Sequence, residues 1–390
     1  MRSKRPLRAL GAALPLILAT VVAHAVQDCE LNGQHVNPAN GNTTAGKTGL
    51  MRCKDRDSGE LQREQELKNG VFMGVVRYYD KGQLRKEHSV NERGNMDGRA
   101  REFSPSGQVL REGTYDNGRE RGLTRAFHPD GRLMLAIFYA DPGGERASAE
   151  FNAQGQLSSL RCGDQPLLAP AVDDARLCGF AGGKPSDVDL FDSKGRLRSR
   201  TQWVAGKRVR SESLHDNGKI AVLETIAGNQ RTEQRFSGEG IKRTDAVWLI
   251  TERGGRIKQV EQNFSEAGTL VREQRWSPTG EAVSDKSFYL NGQPREQSTW
   301  SGEGDSRTIE ITAFYDNGQR ASLGRYSATP RGRQLPTGTH QRFDDKGVLV
   351  AESVYDAKGR VTRERVWDDA GKLQRDDEVF EDGSRKAFAK

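Results

Sequence analysis

Apolar positions along this chain come in short bursts, each followed by a glycine. Between residues 59 and 157 the bursts run about six or seven residues and mix Val, Thr, Tyr and Phe with charged neighbours. No stretch there sustains the 3.6-residue spacing of an amphipathic helix, so the pattern predicts strands. Three stretches nearly repeat one another: "GVFMGVVRYYDKGQL" from 70, "GNMDGRAREFSPSGQV" from 94 and "GRERGLTRAFHPDGRL" from 118. Gly70, Gly94 and Gly118 are each followed four residues later by Gly74, Gly98 and Gly122, and five further on by Tyr79, Phe103 and Phe127. Gly82, Gly107 and Gly131 come next, each two residues before an aliphatic.

Two turn signals fall in each 24-residue period, so the finer period is about 12. A similar glycine series resumes at 195 and continues to 383, often with Asp or Asn just ahead of the glycine, as in "FDSKGRL", "FYDNGQR" and "YDAKGRV". Asp and Asn bond their own backbone at a tight turn, and glycine supplies the positive φ that closes it. The expected class is therefore all-β: tandem antiparallel hairpins stacked as a meander or solenoid sheet, in one array or two. The nine glycines named above are all read as turn glycines. The aromatics are read as packing, and the charges as solvent-facing positions free to drift.

Residues 1–25 carry Arg2, Lys4, Arg5 and Arg8, then an apolar run from Leu10 to Val22, then Ala-His-Ala. That is the plan of a secretory signal peptide cut after Ala25, and the periplasm is the expected destination. Residues 26–58 are expected to form a cap and 59–157 a first hairpin array. Residues 158–187 are expected to be a joint or insert with a short helical run near Val172 to Leu177. Residues 188–390 are expected to form a second, more degenerate array. Export permits disulfides. Of the three connectivities open to Cys29, Cys53, Cys162 and Cys178, the local one joins Cys29 to Cys53 and Cys162 to Cys178 and staples the cap and the joint.

The sentence "G-x-x-x-G…Y/F…x-x-G-x-L" resembles the bacterial variant of the MORN repeat, most clearly over 59–157 and again near 311–383. Many bacterial proteins with this variant carry the label "YwqK-type antitoxin", so the resemblance implies a toxin-neutralising role. "YDAKGRVTRERVW" (355–367) also resembles the YD repeat of Rhs shell proteins. Both resemblances imply tandem hairpins.

Charge alters the picture less than the raw count implies. The chain has 61 Lys and Arg against 54 Asp and Glu. Four of the basic residues and no acid lie in the first 25, leaving 57 against 54 and a net charge of +3. That removes most of the support for nucleic-acid binding. No second run is long and apolar enough to span a bilayer.

Catalytic motifs of the G-x-S-x-G, H-E-x-x-H, Walker and Rossmann types do not occur. The expectation is a protein that is not an enzyme and carries no cofactor or metal. Glu64, Glu87, Glu112, Glu273, Glu364 and Asp376 each stand close after an apolar position and beside a basic residue. Charge pairing along a strand face is the preferred account, over calcium binding or acid–base chemistry. Trp203, Trp276, Trp300 and Trp367 fall near strand ends; they are read mainly as cross-strand packing and secondarily as anchors for a protein partner. The leading expectation is an immunity-type binding protein facing an envelope-acting toxin. Its rival is a scaffolding protein in peripheral contact with lipid headgroups or peptidoglycan.

Overall fold

The computed structural model describes residues 27–389 except 142, 183, 305–306 and 329–333; the expected signal peptide over 1–25 lies outside the described residues. The chain is all-β, as the turn spacing predicts. Strands β1 (Gln27–Leu31), β2 (Gln34–Val36), β3 (Gly49–Asp55), β4 (Leu61–Lys68), β5 (Val71–Asp80) and β6 (Gln83–Val90) open the first sheet. They are followed by β7 (Met96–Phe103), β8 (Val109–Asp116), β9 (Arg119–Phe127), β10 (Leu133–Ala140), β11 (Gly144–Phe151) and β12 (Leu157–Arg161). Each strand pairs with its successor except at the beginning, where β1 lies between β2 and β3. A second sheet of 17 strands, β13 (Ser186–Phe191) to β29 (Arg385–Ala389), keeps strict sequence order throughout. By contacts the chain divides into two units, residues 1–133 with 138–145, and residues 134–137 with 146–390.

Two turn types set this order. Asn32-Gly33, Asn69-Gly70, Lys81-Gly82, Asn117-Gly118 and Ala205-Gly206 each have φ positive at both residues, the two-residue hairpin whose twist matches the strands. At most other hairpins among the described residues a longer loop ends in one left-handed glycine. At Asp192 the carbonyl accepts from Gly195 N–H at 3.1 Å, and the carboxylate accepts from the N–H groups of Lys194 and Arg196. Asp344, Asp356 and Asp368 repeat the arrangement. At Tyr289 and Tyr315 the same loop also reaches outward. Each phenol donates to a carbonyl about 25 residues on, Phe314 and Phe343, at 2.9 Å in both cases, tying neighbouring loops on one sheet margin.

Gly74, Gly98 and Gly122 are not turn residues. They lie inside β5, β7 and β9 at φ +81°, +97° and +71°. Opposite each, the register skips. Across β8 and β9, Glu112 pairs with Arg125 but Thr114 with Arg121, so four steps on one strand face two on the other. The glycine carries a β-bulge, where a left-handed residue absorbs the surplus length. A fourth copy occurs in the second sheet. Gly338, at φ +67° in β25 (Gln334–Phe343), opens the four-residue step from Thr337 to Gln341 that faces the two-residue step from Arg325 to Leu323, across Gly324, in β24 (Arg320–Ala328). The same five-residue step separates it from Phe343.

The charges do not drift either. The position three after each bulge glycine in the first sheet is Arg77, Arg101 or Arg125. Register places these opposite the carboxylates, in the unbroken row Arg52, Glu64, Arg77, Glu87, Arg101, Glu112, Arg125 across seven strands. Arg77 Nε lies 2.7 Å from Glu87 Oε2, Arg101 Nη2 2.6 Å from Glu87 Oε1, and Arg125 Nη2 2.5 Å from Glu112 Oε1. The carboxylates are mostly buried and the guanidiniums about one-third exposed. On a sheet with few aliphatics, alternating charge supplies cross-strand pairing that hydrophobic ladders supply elsewhere.

One buried apolar cluster sits at the cap: Cys29, Leu31, Val36, Met51, Cys53 and Leu67, with Phe72 packed against it; further buried apolar residues, among them Leu168, Val172, Val188 and Leu190, lie around the joint. The Cys29–Cys53 disulfide joins direct cross-strand partners of β1 and β3 within that cluster. The second disulfide, Cys162–Cys178, closes the segment that holds the short helix α1 (Asp174–Leu177).

Candidate functional site

The second sheet carries the molecule's most distinctive surface feature, and residue alternation builds it. Strands β16 (Ile220–Ala227), β17 (Gln230–Phe236), β18 (Lys242–Ile250), β19 (Arg256–Phe264) and β20 (Leu270–Trp276) run side by side. Next come β21 (Ala282–Phe288), β22 (Pro294–Ser301) and β23 (Thr308–Phe314), then β24 and β25. Glu233, Ala246, Glu261, Gln274, Asp285, Ser298, Ile311 and Gly324 are successive cross-strand partners and so share one face. Two residues along from that row, on the same face, stand Arg231, Trp248, Trp276, Trp300 and Tyr326. The aromatics occupy alternate strands β18, β20, β22 and β24, about 10 Å apart from each to the next.

Between the rings lie cations and aliphatics. Arg231 Cζ sits 4.6 Å from the Trp248 ring centroid. Lys258 Nζ sits 5.8 Å from Trp248 and 5.5 Å from Trp276. Further along, Trp300, Ile309, Tyr326 and Pro336 are consecutive partners. All four aromatics are half-buried. Rings fixed by cross-strand packing lose little freedom on binding, which is why Trp, Tyr and Arg dominate binding hot spots.

Arg231 organises one end of the stripe. Glu224 and Glu233 are direct cross-strand partners, a like-charge pair. Arg231, almost wholly buried, donates from Nη2 to both, at 2.5 Å each, and from Nε to Glu224 at 2.8 Å. Burial pushes the Glu224 carboxyl up, but the hydrogen bonds and charge of Arg231, helped by Arg208, outweigh it and hold the group below its ordinary range.

The residues singled out from sequence fall in several places. Trp276 and Trp300 belong to the stripe. Trp203 is buried and donates from Nε1 to Thr201 Oγ1 at 3.0 Å, a packing residue under the joint. Trp367 ends β27 (Val361–Trp367), three strands beyond β24. Trp248, the best-framed ring of all, was not among those singled out; its signal was the alternation "DAVWLI" against "RIKQVE", readable only once the two strands are in register. Among the described residues no group of three or more His, Cys, Asp and Glu could hold a metal ion. No helix among them is long and apolar enough to cross a membrane.

In the first sheet the Glu64 carboxylate accepts from the Tyr79 hydroxyl at 2.8 Å. Burial first, then the bond and charge of Glu64, push the Tyr79 phenol up to about 12. A raised folded-state pKa means that this contribution to stability is complete below the phenol's ordinary pKa of about 10 and fades as pH rises through 12. A Glu64→Gln variant is expected to show one tyrosine ionising at lower pH in an ultraviolet titration. An unchanged titration curve would mean that the carboxylate does not govern the phenol.

A family model described as the MORN repeat variant matches residues 96–117, the strands β7 and β8 with their closing turn. No curated protein matches the chain. Among solved structures, one titled as TarM is 14% identical, covers 29% of this chain and 18% of its own, and has a TM-score of 0.13. A Tc holotoxin pore from Photorhabdus luminescens is 12% identical over 85% of this chain and 24% of that one, with a TM-score of 0.13. A protein of unknown function from Bacteroides fragilis is 9% identical over 43% of this chain and 96% of its own, again at 0.13. The chain thus spans about a fifth of the length of the first two. At these TM-scores the likenesses carry no argument.

Proposed function

We propose that this chain is an exported, non-catalytic β-repeat protein that binds a protein partner along the aromatic stripe of its second sheet. The partner in this reading is a toxin acting in the cell envelope. The observation that supports it best is the regular placement of Trp248, Trp276, Trp300 and Tyr326 on alternate strands of one face, framed by Arg231 and Lys258. Two disulfides fit an oxidising compartment, the periplasm in this reading, where such a toxin could be met. The MORN-variant match at 96–117 and the antitoxin label that many such proteins carry point the same way.

Placing a photo-crosslinking phenylalanine analogue at Trp276 in cells is expected to trap a discrete protein partner. The same analogue at Leu290, an exposed residue away from the stripe, is expected to trap none. Cells lacking the protein are expected to become sensitive to that partner, and Trp276→Ala to restore protection poorly. Deletion cells that resist every toxin encoded beside the gene or delivered by kin would rule the reading out.

A further inference from the structure

The bulge at Gly338 differs from its three counterparts in what it leaves open. In each copy, the residue two after the bulge glycine meets the residue opposite, and their sizes compensate: Val76 with Gln65, Ala100 with His88, Thr124 with Gly113. Thr124 fills the space over Gly113 and is wholly buried. In the fourth copy His340 lies over Gly324, yet a depression of about 240 Å³ remains there. It opens on the face of the aromatic stripe, beside Tyr326, the stripe's last ring.

The lining of this depression is unlike the rest of the sheet. His340 Nε2 is 2.7 Å from the Arg325 carbonyl, which can only accept, so Nε2 carries the proton. Nδ1 is therefore left facing the floor over Gly324. The ring is fixed between Tyr326, at 4.8 Å between centroids, and Tyr355 of β26 (Leu349–Tyr355), at 4.6 Å. Arg342 stands at the rim, exposed, with Ser322 and Ala351 as its cross-strand partners. Many guanidiniums on this sheet meet a carboxylate, as Arg365 meets Glu352 and Asp376, while others meet a carbonyl or a ring, as Arg243 meets the Ser265 carbonyl and Arg320 the Phe343 ring. Among the described residues Arg342 meets none. The hydroxyls of Ser322, Ser353, Tyr326 and Tyr355 likewise have no hydrogen-bond partner there.

We propose that this depression is an anchor site for a carboxylate side chain of the partner protein, with Arg342 as counter-ion and the tyrosine and serine hydroxyls as further donors. The chemistry selects the ligand. The unpartnered groups are a permanently charged guanidinium and four hydroxyls, all able to donate to an acceptor-only anion. The aromatic walls fit the methylenes that carry the carboxylate. The proposal rests on the partner being a protein, and it names the side chain that the end of the stripe would take.

The test uses the full mature chain labelled with [13Cε1]histidine, its His340 signal assigned by loss in His340→Gln. N-acetylglutamate α-amide is expected to shift that signal saturably in the millimolar range expected of a single anchor contact. N-acetylglutamine α-amide is expected to leave it in place. Arg342→Gln is expected to weaken the response at least tenfold while the His88 signal stays unmoved in every case. Equal responses to the two amides, no response, or an undiminished response in Arg342→Gln would each overturn the site. A cross-link that fails at Trp276 with this response intact would overturn the partner reading alone, and the reverse outcome the anchor alone.

Discussion

Replacing Arg231 by alanine is expected to cost about 2 kcal/mol locally and to loosen β16 to β18 before the rest of the second sheet. Breaking a buried ion pair on one side typically costs about 3–5 kcal/mol, because the remaining charge stays buried without its partner. Here Arg208 at 3.0 Å from Glu224 and Arg235 at 2.7 Å from Glu233 remain, and both reach solvent, so the lower figure applies. Their presence does not remove the problem. Glu224 and Glu233 are direct cross-strand partners, and among the described residues only Arg231 bonds both. Native-state hydrogen exchange across 220–250 is the suitable measurement, since a long array need not unfold as one unit. The charge account makes a further demand. A Glu224→Leu, Arg231→Met, Glu233→Leu triple variant should recover most of the lost protection, because no uncompensated charge is left.

Acidity gives the same prediction a sign. Glu224 is held below its ordinary range in the folded chain, so its contribution to stability is present above the unfolded carboxyl pKa and is lost as pH falls through the folded value. Without Arg231 that depression shrinks, and burial begins to favour the protonated acid. The difference between the wild-type protein and Arg231→Ala should therefore be largest near neutral pH and narrow as the carboxyls protonate. A difference that stays constant down to pH 3 would assign the loss to missing packing on Trp248 instead.

Architecture was legible in the sequence because turn chemistry is local. Asp or Asn before glycine fixes a loop without reference to anything distant, and the glycine series placed the hairpin turns, though not their two kinds. The bulges were not. Gly74 and Gly70 look alike in sequence, and only pairing reveals that one closes a turn while the other takes up slack inside a strand. Arg77, Arg101 and Arg125 recur with the same period as those glycines, a regularity that could have been seen. They carry meaning only opposite Glu64, Glu87 and Glu112, whose spacings of 23 and 25 blur the count. The stripe was half legible for the same reason. Trp276 and Trp300 stood out by position, whereas Trp248 joined them through register with Lys258. Pairing across strands is the information a single sequence holds least openly.

The joint at 162–180 should respond to two substitutions that share one consequence. Asp174 is buried, and its Oδ2 accepts from the N–H groups of Leu167 and Leu168 at 2.6 and 2.9 Å. The Cys162–Cys178 disulfide closes the same segment. From its end, the carbonyls of Cys178 and Gly179 accept from Gly206 and Ala205 N–H, both at 2.9 Å, which seats the segment on the hairpin of β14 (Leu197–Val204) and β15 (Lys207–Leu214). Removing the disulfide should cost roughly 3 kcal/mol for a loop of this size. Asp174→Ala should cost about 2–3 kcal/mol, because the buried Leu168 N–H and the half-buried Leu167 N–H both lose their acceptor. Since both restrain one segment, the combined variant should fall short of the sum by at least about 1 kcal/mol. Amide exchange at Ala205 and Gly206 reads the docking directly: it should quicken in either variant and gain little more when they are combined. Full additivity, with exchange at those two amides unaltered, would show that the disulfide and the carboxylate hold separate structures and that the joint does not depend on them to stay seated.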